Sequence, residues 1–103
     1  MFVNLQPIVL PVIERNAVTR QVAILLTLEL GDGHSTEEFE PKRRQLVDAF
    51  MRELYRLYDA RSGADRIVDE GVLKARLLRT ASAMLGPGFV RAVLIRQLTE
   101  QTR

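Results

Sequence analysis

Two apolar periods divide this chain. Alternate residues are apolar through 8–30 and again at 89–98, whereas residues 36–60 and 69–85 carry apolar positions at helical spacing. Alternation by two turns one face of a strand toward a core, and a 3.6-residue period does the same for one stripe of a helix. The order is therefore strand, strand, helix, helix, strand. That predicts an α+β fold of order ββααβ, with a small, mainly antiparallel sheet covered on one face by two amphipathic helices. The 103 residues fit one domain spanning 1–103. With 47% hydrophobic residues a packed core is within reach. At this length the stability margin is thin, and a partner or a second copy would add to it.

The local signals fit that order. Ile8, Leu10 and Val12 share one face of the first strand, with Pro7 and Pro11 on the other parity. Proline cannot donate to a ladder, so this is an expected edge strand. Glu14-Arg15-Asn16-Ala17 is a turn, with Asn16 best suited to a left-handed conformation. Val22, Ile24, Leu26, Leu28 and Leu30 form a wholly apolar face on the next strand, stopped by Gly31-Asp32-Gly33. Ser35 and Glu38 have capping-box spacing. Pro41 either sits in a kinked first turn and a half or restarts the helix at its own position. Leu46, Val47, Phe50, Met51, Leu54, Leu57 and Tyr58 then share one helical face, with Asp48 and Arg52 an i,i+4 pair opposite. Tyr55 and Tyr58 read as anchors at the core edge. Arg61-Ser62-Gly63-Ala64-Asp65 is a loop, and Asp69 caps the second helix. That helix buries Leu73, Leu77, Leu78, Ala81, Met84 and Leu85, and Gly86 ends it. The last strand carries apolar residues on both parities, Val90, Ala92, Leu94 and Leu98 against Val93 and Ile95, which suggests a central or partly covered strand. Residues 99–103 read as a frayed polar tail.

The composition narrows function mainly by exclusion. Formal charge is +2, which gives nucleic-acid binding no electrostatic support. The charge is uneven, at −2 over residues 1–60 and +4 over 61–103. There are no cysteines, so disulfides, zinc ribbons and thiol catalysis are out. The start, Met1-Phe2-Val3-Asn4, lacks the basic region of a secretory leader, and no apolar run reaches the ~20 residues that span a bilayer.

Candidate chemistry is sparse. His34 beside Asp32, Glu37 and Glu38 has the residue types of a divalent-metal site, yet a turn and a capping box account for all four. Gly31-Asp32-Gly33 lacks the lysine and the glycine spacing of a phosphate loop. No acid, base and nucleophile set can be assembled, so no catalysis, cofactor or small-molecule substrate is expected. The remaining candidate is a surface of arginines. Arg52 and Arg56 lie one turn apart on the first helix and Arg76 and Arg79 on the second, a possible interface for an acidic partner.

Several segments carry a family resemblance. They are Phe2–Ile13, Val22–Asp32 with Leu28-Glu29-Leu30 before the turn, Pro41–Phe50, Leu73–Leu78 and Val90–Leu98. Their order and spacing resemble the extracytoplasmic domain of the flagellar basal-body-associated FliL family over nearly the whole chain. The resemblance implies a stomatin/prohibitin-type (SPFH-like) fold and no catalysis. It implies the periplasmic part of an inner-membrane protein, anchored by a segment that these residues do not include. It also implies association with the flagellar stator and with copies of itself. A scaffold with no flagellar role is one alternative. A KH-like nucleic-acid module, which shares the ββααβ order, is another, but it needs a Gly-x-x-Gly loop where this chain has Arg61–Asp65.

Overall fold

Strand β3, Ala17–Leu30, organises the molecule. At about 3.3 Å per residue it spans roughly 46 Å, and the long dimension of the molecule is 46 Å. The structure, a computed structural model, describes residues 1–60 and 69–102. β1 (Phe2–Asn4) and β2 (Ile8–Glu14) follow one another along one edge of β3, and β4 (Val90–Thr102) pairs along the other. All pairings are antiparallel. β2 and β3 are joined by a two-residue turn in which Arg15 and Asn16 have φ of 52° and 64°. Both central residues are left-handed, as a twisted two-residue hairpin demands.

The capping box forms as expected. Ser35 Oγ accepts from Glu38 N, and Glu38 Oε1 accepts from Ser35 N. Helix α1 is only Thr36–Phe39, and a 3-10 turn at Glu40–Lys42 holds Pro41 before α2 runs from Arg43 to Ala60. The proline thus sits in an interrupted start, with Phe39 and Leu46 both fully buried on either side of it. Asp69 Oδ1 accepts from Gly71 N and Val72 N and caps α3, Glu70–Leu85. Gly86 ends that helix at φ 98°.

The core lies between one face of the sheet and the helices, with α2 against β2 and α3 against β4. Val22, Ile24, Leu26, Leu28 and Leu30 of β3 meet Phe39, Phe50, Leu54, Leu73 and Leu77 there, all essentially sealed from solvent. Each such side chain contributes about 1.5–3 kcal/mol on burial. Met84, expected in this core, is instead exposed.

β4 differs from expectation in three ways. It runs to Thr102 instead of ending in a frayed tail, and it is an edge strand, pairing only with β3 among the described residues. It also changes parity twice. Leu30 pairs with Val90 and Glu29 with Ala92, leaving Arg91 extra; Leu26 pairs with Ile95 and Leu25 with Gln97, leaving Arg96 extra. These two bulges put Val90, Val93, Ile95 and Leu98 opposite the apolar face of β3. Apolar residues on both parities therefore reflect slipped phase in part, with Ala92 and Leu94, opposite Glu29 and Thr27, remaining half-buried on the open face. Deleting Arg96 should cost less than about 1 kcal/mol, because Ile95 then precedes Gln97 in regular alternation. Deleting Leu94 takes up the same slack by putting Arg96 opposite Leu26 in the core, and should cost several-fold more in urea denaturation. Equal losses would contradict this register.

The first strand, β1, is too short for its alternation to stand out in sequence. Val3 nevertheless pairs with Leu28 and is buried.

Candidate functional site

The four arginines singled out by sequence converge. Packing of α2 against α3 leaves a surface groove of about 430 Å³, lined by Arg52, Glu53, Arg56, Arg76 and Arg79, with Ala49, Ala83 and Met84 as apolar lining. Glu53 is the centre of this arrangement. Its Oε1 accepts from Arg76 Nη1 at 3.1 Å and its Oε2 from Arg56 Nη1 at 3.4 Å. The Glu53 side chain is only 17% exposed, whereas those of Arg56 and Arg76 are 75% and 48% exposed. One carboxylate thus fixes two guanidinium groups from two helices and leaves the group of five at a formal +3. Ion pairs this exposed add little stability. They set the direction of the arginine side chains instead.

Arg52 and Arg79 have no ion pair or hydrogen bond among the described residues. The expected Asp48–Arg52 pair does not form, so Arg52 keeps its charge for the groove. Guanidinium groups stay protonated throughout the biological range and bind carboxylates in a two-pronged fork. The chemistry available is therefore anion recognition. Helical spacing points to the arginines but not to Glu53, although its position three residues before Arg56 is a usable signal. Met84 went unrecognised because its spacing matches the buried stripe.

No protein-family model and no curated protein matches this chain.

The His34 neighbourhood is divided among other partners. His34 Nδ1 lies 3.3 Å from Glu38 Oε2, and its ring sits 4.3 Å from that of Phe89. Asp32 turns away to Arg91 at 2.6 Å. Glu38 is held below the ordinary carboxylate range, first by the Ser35 backbone N–H and then by His34. No three His, Asp or Glu side chains converge among the described residues. The Arg61–Asp65 loop weighed for nucleic-acid contact lies outside the described residues.

Tyr58 is more deeply placed than a core-edge anchor, at 3% exposure against 37% for Tyr55. Its hydroxyl is buried without a hydrogen-bond partner among the described residues. Burial, and next the nearby Glu100, push the phenol up to about 12, with Arg20 opposing. A raised value means that the folded chain holds a proton the unfolded chain releases from its ordinary 10.0 upward. Stability from this group is complete below pH 10 and is lost as pH climbs toward 12. Tyr58→Phe should abolish that alkaline decline. It should also match or exceed the wild type at neutral pH, since the hydroxyl makes no hydrogen bond. Circular dichroism melts across this pH range test both points.

Proposed function

We propose that this chain is a non-catalytic interaction domain that docks acidic surfaces in the groove between α2 and α3. The observation carrying this reading is a groove lined by four arginines from two helices, Arg56 and Arg76 bound to Glu53, and Arg52 and Arg79 without acid partners among the described residues. The resemblance to the FliL extracytoplasmic domain adds a setting. In that reading the domain has an SPFH-like fold and lies in the periplasm, tethered to the inner membrane by a segment outside these residues. It associates there with copies of itself and with the flagellar stator. Self-association has a chemical basis in the chain's own charges. Glu37 and Asp48 are exposed acids with no ion pair among the described residues, and such carboxylates on one copy suit the arginine groove of another. Pro11 on the edge strand β2 disfavours uncontrolled strand pairing along that edge, and the helix faces carry the arginine groove.

The test is the double charge reversal Arg52→Glu with Arg56→Glu. Both side chains are exposed and neither belongs to the core, so the fold should persist by circular dichroism. Association measured by sedimentation should weaken by about tenfold or more, as expected when matched charges become opposed. Unchanged association with an intact fold would remove the groove from the account.

A further inference from the structure

The open face of the sheet carries a second arginine site, unrelated to the helix groove. Its origin is a double irregularity in the ladder. Between Thr27 and Ile24, β3 takes three steps. On one side the chain takes four, from Asn4 to Ile8; on the other it also takes four, from Leu94 to Leu98. Both neighbours of β3 therefore carry one extra residue at the same level. A bulge bends a strand, raises its twist and re-aims a side chain, and here the β4 bulge lies across β3 from the break between β1 and β2. A hollow of about 320 Å³ opens there, lined by Asn4, Leu25, Leu26, Thr27 and Arg96.

The polar groups in this hollow form a chain with one unfilled end. Thr27 is 2% exposed. Its hydroxyl donates to Asn4 Oδ1 at 2.8 Å and accepts from Arg96 Nε at 3.3 Å. That geometry uses one edge of the Arg96 guanidinium and leaves its two terminal nitrogens without partners among the described residues. It also leaves the Asn4 side-chain N–H groups without an acceptor among the described residues. The other bulge arginine provides the contrast. Arg91 is neutralised by Glu29 at 3.1 Å and Asp32 at 2.6 Å, whereas Arg96 is steadied by a neutral hydroxyl and keeps its full charge. A held guanidinium with free terminal nitrogens, beside a free amide and the apolar Leu25, matches a carboxylate on a short aliphatic stem.

We propose that this hollow binds a carboxylate, with the Arg96 fork taking both oxygens and the Asn4 amide adding a hydrogen bond. The carboxylate comes either from a free small acid or from an acidic side chain of a polypeptide lying on the open face.

The experiment titrates the full chain, labelled with ¹⁵N, with acetate and separately with an acetylated and amidated Ala-Glu-Ala tripeptide. Chloride at matched ionic strength is the reference. The Arg96 Nε–H and Asn4 side-chain resonances should shift and saturate with a carboxylate and not with chloride. Saturation by acetate identifies a free carboxylate as sufficient; saturation by the tripeptide alone identifies a polypeptide source. Arg96→Lys keeps the charge but loses the fork, and should weaken binding about tenfold. Deletion of Arg96, which leaves β4 regular, should abolish it, and Arg44→Ala on α2 should leave it intact. The proposal is overturned if neither probe saturates, if chloride acts equally, or if Arg44→Ala weakens binding as much as Arg96→Lys does.

Discussion

Replacing Gly31 with alanine is expected to destabilise the protein by about 3 kcal/mol or more, among the largest effects of any single added methyl group. An added Cβ at this position would lie 1.9 Å from the carbonyl oxygen of Gly88. The obstacle is backbone, so no side-chain rotation relieves it. Gly31 N also donates to Phe89 O at 2.9 Å, which ties the end of β3 to the turn that leads from α3 into β4. Separating the two chains to make room breaks that bond at a buried site. Gly33 is the control. Its φ is 84° and nothing lies within 4 Å of an added Cβ, so Gly33→Ala should lose only the left-handed penalty of about 1–2 kcal/mol. Urea denaturation of both variants checks the ordering. Equal losses would mean that the close approach at Gly31 is not maintained.

Phe50→Ala should cost about 3–5 kcal/mol. Phe50 has no exposed surface and lies on the face of α2 that enters the core. The lost ring takes its burial energy with it and leaves a void that neighbours in a two-layer core fill only in part. For a domain of this size the loss is a large share of total stability, and roughly 15 °C or more in melting temperature. The denaturant slope should stay near the wild-type value, because the surface exposed on unfolding scarcely changes. A loss below about 1 kcal/mol would contradict the packing described.

Much of this fold was legible because its strongest elements obey one period each. β3 alternates without interruption from Val22 to Leu30, and α3 is bounded by Asp69 and Gly86. Parts that were not legible break a period or fall below its length. β1 is three residues long. β4 contains two bulges, so parity alone does not assign its apolar residues to faces until the register is known. A bulge leaves no residue-type signature in this strand, since arginine is common at exposed strand positions as well. Pro41 announced an interruption, but two local geometries satisfied it equally. Helical spacing alone placed two arginines on each helix, yet only the packing of α2 on α3 brings the four into one groove and pairs Arg56 and Arg76 with Glu53. The Arg96 hollow depends on a bulge in β4 lying level with the break between β1 and β2 on the other side of β3. No local pattern encodes that coincidence.

Association through the arginine groove between α2 and α3 is tested most directly by the solution mass of the wild-type chain in a concentration series, by light scattering at low and at high ionic strength. The mass is expected to rise with concentration in low salt and to fall back toward the monomer in high salt, where exposed charges are screened beyond a few ångströms. A monomer at every concentration in low salt, or an assembly indifferent to salt, would contradict it.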